Sequence, residues 1–274
     1  CIVIPHNVDY TFHHPYFAEV MRGIASVIDA ADYRALILTT KGKDRSETSY
    51  IRGLARGLVD GALFFDVEPQ DPYVHEFVGS RLPFMIVGRN DETNHFVDAD
   101  IEAGVAEATD HLLNLGHRAI ALVSGPENLV FSHQLVRGYR FALERRGVAV
   151  DDGLVSFGAF SESNGLETLE SMFARDARPT AVISGSGKQT AGVIEFLRGR
   201  DLRVPDDLSI VSFGHHPVVT LHGMSLTYLD QPEVEIGRTV AEHLLSLIRD
   251  PSQRFTPTIL PLTLVEGDST ASID

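Results

Sequence analysis

Residues 111–126 read HLLNLGHRAIALVSGP, and the order of features in that stretch decides the fold. Leu112, Leu113 and Leu115 close an amphipathic helix, and Gly116 offers the left-handed conformation that ends it. Ala119–Val123 then form an unbroken apolar run, stopped by Ser124-Gly125-Pro126. A strand without polar alternation is buried on both faces, as in a parallel sheet with helices on either side. Helix, glycine, apolar strand and turn make one rung of a βαβ ladder.

The same rung recurs along the chain. Upstream, Ile2-Val3-Ile4 leads to a helix over about Tyr16–Ala30, and Leu36-Ile37-Leu38 to one near Glu47–Gly57. Ala62–Phe65 leads to a helix near Tyr73–Gly79, and Phe84–Val87 follows. Downstream of a helix at Glu102–Leu115, helices near Phe131–Arg146, Asn164–Ala174 and Thr190–Arg198 precede Val155–Phe157, Ala181–Ile183 and Leu208–Val211. After Leu226-Thr227-Tyr228 come a helix at about Glu233–Ile248 and an extended segment, Thr258–Leu264. That last helix and strand are one unit too many for the second sheet, and fit if the chain returns to the first. The expectation is α/β: two doubly wound parallel-sheet subdomains, with short crossovers instead of one linker.

Composition narrows the function. The 274 residues are 43% hydrophobic, enough for one large or two moderate cores, and no stretch approaches the roughly 20 apolar residues that span a bilayer. No basic segment followed by an apolar run opens the sequence, so no secretory signal is expected. The single cysteine, Cys1, excludes an internal disulfide and fits a reducing cytoplasm. With 23 basic against 38 acidic residues the net charge is −15, a surface that repels phosphate. Any DNA contact is expected from a segment outside this sequence.

The stretches HPYFAEVMRGI, LVDGALFF, LPFMIVGR, HLLNLGHRAIALVSGP, RGYRFAL, RPTAVIS, VPDDLSIVSFG and LTYLDQPEVEIGR, in that order, resemble the LacI/GalR family of transcription regulators over nearly the whole chain. The resemblance implies a periplasmic-binding-protein-like fold of type I, with three crossovers and a ligand cleft between two subdomains. They would comprise residues 1–97 with 229–260, and 98–228 with 261–274. It also implies a homodimer, a small-molecule effector, and operator DNA read by an upstream helix-turn-helix that this sequence lacks.

Ligands of open α/β sheets bind outside the carboxyl ends of the strands, so the candidate site residues lie in the loops there. In the first half these are His14, Tyr16 and Phe17, where aromatics can wall a ligand, and Arg89, open either to an anionic group or to a rim salt bridge. Phe17 is equally open to a core role at the helix start. In the second half they are Leu135, Ser186, Gly187, Gly214, His215 and, in a crossover, Gln231. Sugar-binding members of the family carry Arg at the place of Leu135, Asn-Asp at Ser186-Gly187 and Asp-Asp at Gly214-His215. A site without those charges loses hydrogen bonds worth about 1.5–3 kcal/mol each, which points away from an ordinary sugar.

Neither a metal nor a cofactor is expected. His6, His13, His14, His133, His215 and His216 come from separate loops without a Cys or Glu partner, and read as ligand hydrogen-bonders or solvated side chains before metal ligands. Gly185-Ser186-Gly187-Lys188 fails the phosphate-loop pattern, because Gln189 follows the lysine and position 182 is Val182. No acid–base pair or nucleophile elbow can be assigned, so the chain reads as no enzyme. The competing reading is a periplasmic or lipid-anchored solute-binding protein, with Cys1 as the acylated residue. Apolar faces around Tyr50–Leu58 and Val218–Leu226 are candidate dimer surfaces.

Overall fold

The computed structural model describes residues 1–4, 15–39, 57–65, 78, 82–90, 92–175, 178–214 and 225–273. His6, His13, His14, His215 and His216, most of both candidate dimer surfaces, the helix expected near Glu47–Gly57 and all but Val78 of that near Tyr73–Gly79 lie outside the described residues. The chain divides into two compact units, Cys1–Ala99 with Pro232–Leu260, and Asp100–Gln231 with Pro261–Asp274.

The first unit holds β1 (Ile2–Ile4), α1 (Pro15–Ala30), β2 (Ile37–Thr39), β3 (Ala62–Phe65), β4 (Phe84–Val87), β5 (Phe96–Ala99), α6 (Glu233–Arg249) and β11 (Thr258–Leu260). Its six strands run in the order β11-β5-β4-β3-β1-β2, every neighbouring pair parallel. The apolar runs are buried along their whole lengths in β1, β3 and β4. Helices α1 and α6 cross at Gly23 and Gly237, each of which faces the other helix's backbone where a methyl group would not fit.

Strand β5 is absent from the sequence reading. Asp98 interrupts its short run, yet Asp98 is buried, with Oδ2 3.7 Å from Arg89 Nε. A buried charge is tolerated when paired, and this pairing admits a carboxylate into a sheet.

The second unit holds α2 (Ile101–Asn114), β6 (Ile120–Val123), α3 (Val130–Arg145), β7 (Val155–Ser156), α4 (Glu162–Phe173), β8 (Ala181–Ser184), α5 (Gly187–Arg198), β9 (Ser209–Phe213), β10 (Thr227–Asp230) and β12 (Thr263–Val265). The sheet order is β12-β10-β9-β8-β6-β7, parallel except for β12, which pairs antiparallel with β10 at the edge. One core lies under α4 and α5, with Val123, Leu169, Val182, Val193, Phe196 and Ile210 at its centre.

The three passages between units follow Ala99, Gln231 and Leu260. The first two come later than the expected positions near Val97–Asp98 and Tyr228–Leu229, because β5 and β10 hold the chain in their sheets to Ala99 and Asp230. The single extended segment expected over 258–264 is two strands, β11 in one unit and β12 in the other, parted at Pro261-Leu262.

Helices α4 and α5 begin two and three residues before the expected starts at Asn164 and Thr190. Side chains just ahead cap them: Ser161 Oγ accepts from Asn164 N at 3.2 Å, and Ser186 Oγ from Gln189 N at 3.2 Å. Gly116, at φ +98°, turns the chain between α2 and β6.

Candidate functional site

Parallel strands deliver their following loops to one edge of the sheet. In the second unit that edge gathers Ser124-Gly125 after β6, Phe157–Phe160 after β7, Gly185-Ser186 after β8 and Gly214 after β9. Gln189, fully buried in the first turn of α5, ties three of these loops together. Its Nε2 donates to Ser124 O at 2.8 Å, Ala159 O at 3.2 Å and Asn164 Oδ1 at 2.9 Å, while its Oε1 accepts from Ser186 Oγ at 3.2 Å. A second buried chain links Thr190 Oγ1 to Ser212 Oγ at 2.8 Å and Ser212 Oγ to Gly214 O at 3.4 Å. Buried amides and hydroxyls that are fully engaged rigidify what they connect. The residue that breaks the phosphate-loop pattern is therefore the one that organises the edge, a role that spacing alone does not reveal.

The candidate residues of the second unit fall into two sets. Ser186 and Gly187 stand at the edge, where Ser186 caps α5 and Gly187 opens it. Gly214 turns at φ +76°, in a conformation side chains rarely adopt. Gln231, largely buried, follows β10 immediately. Leu135 departs from expectation. It is fully buried, and its Cδ1 would crowd any Cβ on Gly185, so it fills the core beneath the strand ends.

Aromatic residues missed in the sequence crowd the same edge. Phe131 at the start of α3 meets Phe213 edge-on, ring centroids 5.0 Å apart at 84°, and Phe160 at 5.9 Å and 64°. His133 lies against Phe157 at 5.6 Å, and its Nε2–H donates to Glu127 O at 2.7 Å, which fixes the tautomer. Their signal in the sequence is weak, because a phenylalanine beside a strand reads as core.

In the first unit, Phe17 is 3% exposed and packs on Phe65 at 5.7 Å, so the core role prevails. Tyr16 is half-buried beside it, rings 5.5 Å apart and nearly perpendicular. Arg89, one residue past Gly88 at the end of β4, leans on Asp98. Both stand at the carboxyl ends of strands, as the sequence requires.

At the opposite edge of the second sheet sits a purely structural histidine. Buried His117 accepts from Thr180 Oγ1 at Nδ1, 2.8 Å, and donates from Nε2 to Ala271 O at 3.1 Å, with Ser209 Oγ also 3.1 Å away. Burial pushes its imidazole below the ordinary value; the Ala271 carbonyl opposes this and His111 reinforces it. His117 thus ties the start of β6 to Thr180 and to the C-terminal segment. Among the described residues no group of three His, Cys, Asp or Glu side chains is placed to hold a metal ion.

A family model described as a periplasmic binding protein-like domain matches residues 109–270. Catabolite control protein A of Priestia megaterium is 30% identical over 234 residues, 84% of this chain and 70% of that protein. The chain belongs to the LacI/GalR family of transcription regulators. The HTH-type transcriptional regulator CelR of Thermobifida fusca is 27% identical over 273 residues, covering 98% of this chain and 80% of its own. A solved complex of CelR with cellobiose superimposes with a TM-score of 0.90 at 26% identity, covering 98% of this chain and 83% of the other. As a LacI/GalR member it is the effector-binding region of a regulator, and the solute-binding alternative falls away. No helix among the described residues is long and apolar enough to cross a membrane.

Proposed function

We propose that this region senses a small molecule at the carboxyl-edge loops of its sheets and performs no chemistry on it. At the first unit's edge the candidates are Tyr16 and Arg89, and at the second unit's edge Ser186, Gly187, Gly214 and Gln231, with His14 and His215 as further candidates. Phe17 and Leu135 support the loops from beneath. The protein works in the cytoplasm as a homodimer, and operator DNA is read by an upstream segment, since a net charge of −15 offers phosphate nothing. Ligand acts by favouring one arrangement of the regulator over another, which requires different affinities for the two.

The observation that carries this is the Gln189 network. It holds three strand-end loops in fixed register at the edge where such sheets bind ligands. CelR is solved with cellobiose. The resemblance, however, sets Leu135, Gly187, Gly214 and His215 against charged residues of sugar-binding relatives, and an ordinary sugar is therefore not the proposed effector.

The test is a thermal-shift screen of the 274-residue chain against sugars, polyols, purines and aromatic acids, because bound ligand raises the melting temperature by mass action. A stabilising compound should lose its effect in Gln231→Ala and Arg89→Leu. Stabilisation that survives both substitutions would defeat the proposed site.

A further inference from the structure

We propose that the effector presents a flat aromatic ring, bearing a hydrogen-bonding substituent, to the Phe131–Phe160–Phe213 cluster. This rests on reading the carboxyl edge as the effector site and names the ligand's chemical class.

The three rings come from the loop after β7, the start of α3 and the last residue of β9, and Phe131 stands in the middle of the run. The core cluster under α4 and α5 does not include them, although Phe213 is buried. Phe131 and Phe160 remain half-exposed at the edge, where apolar surface marks a binding site. Edge-to-face geometry leaves ring faces and edges arranged to receive another ring in the same manner.

The polar groups beneath point the same way. Ser124, Ser186, Gln189, Thr190 and Ser212 are hydrogen-bonded within the protein. With their hydrogen bonds spent inside the protein, these five groups leave a ligand little to bind at this edge of the second unit. Ser132 is the exception. Its Oγ is buried, has no partner among the described residues, and lies beside Gly125 where Phe160's ring edge packs. One hydroxyl in an aromatic wall suits one polar substituent on a ring.

The test uses isothermal titration of the 274-residue chain with a matched pair, 4-nitrophenyl β-D-glucopyranoside and methyl β-D-glucopyranoside, together with 4-hydroxybenzoate, indole, adenine, cellobiose and ribose. At least one aryl probe should bind, and the aryl glucoside should bind at least about tenfold more tightly than its methyl twin. Phe131→Leu and Phe160→Leu keep apolar volume but remove the ring, and each should weaken the aryl ligand about three- to tenfold, the range of one aromatic pair. Ligand-free melting curves of both variants establish that they fold. Cellobiose or ribose binding without any aryl preference overturns the ring while the effector site stands. Aryl binding untouched by either phenylalanine variant, or no aryl binding at millimolar concentration, also overturns it. Aryl binding indifferent to Gln231→Ala as well removes the site itself.

Discussion

Gly192→Ala is the sharpest test of how the second unit is packed. Gly192 lies in α5 against α4, and a Cβ built on it would stand 2.8 Å from Glu162 C and 2.9 Å from Leu166 N, with Glu162 O closer still. All three are backbone atoms, so no side chain can rotate away. Taking about 3.5 Å as the near limit of carbon contact, the helices must part by at least about 0.7 Å (3.5 − 2.8). Overpacking of this kind costs about 1–3 kcal/mol. Parting also stretches the 2.9 Å bond from Gln189 on α5 to Asn164 on α4, worth about 1 kcal/mol. Alanine returns about 1 kcal/mol through helix propensity. The net is about 2 kcal/mol of destabilisation, a fall in melting temperature of roughly 4–8 °C for a unit of this size. Gly199→Ala is the internal control. Gly199 ends the same helix at φ −63°, with its nearest neighbours 3.6 Å from a new Cβ, and should gain about 0.4–1 kcal/mol. Urea denaturation of the two variants in parallel decides the matter. A Gly192→Ala chain as stable as Gly199→Ala would refute the close crossing.

Further predictions concern polar groups. Gln189→Ala should destabilise by about 1–3 kcal/mol, since it strands the buried carbonyl of Ser124; chemical denaturation reads this directly. Stability should fall as pH drops below about 6.5, because burial lowers the imidazoles of His117, His95 and His243, so the unfolded chain takes up protons first. Each contributes at most about 1.4 kcal/mol per pH unit, and His117→Gln should flatten a plot of unfolding free energy between pH 7 and 5. Arg137→Ala, which removes an exposed ion pair to Glu102, should change stability by less than about 1 kcal/mol in the same assay.

Strands buried on both faces were legible, because β4 and β6 are continuous apolar runs that nothing else explains. Strand β5 was not, since a sequence shows Asp98 as a charge and does not show the Arg89 guanidinium beside it. Helix starts slipped at Asn164 and Thr190 for a related reason: a capping serine is polar and breaks the apolar period it protects. In the site, the loops were identified but the chemistry within them was read too literally. Leu135 matches a position known by its charged counterpart, and a leucine there simply sinks into the core. Phe131, Phe160 and Phe213 come from a helix start, a loop and a strand end, and their cluster exists only once β7, β6, β8 and β9 are assembled into one sheet.

That separation explains the division of labour at this edge. Partly buried rings are useful for recognition only if they hold their places, and loops of small residues do not hold themselves. Gln189 supplies the rigidity from below, using one side chain to replace the hydrogen bonds that several strand ends would otherwise seek from water. Two of its four partners are backbone carbonyls, so the frame depends on side chains of the edge only through Asn164 and Ser186. A surface carried on such a frame can vary its other side chains without disturbing the sheet below. On the proposed reading, the rings that would select a ligand and the Gln189 side chain that ties the loops are separate parts of one unit.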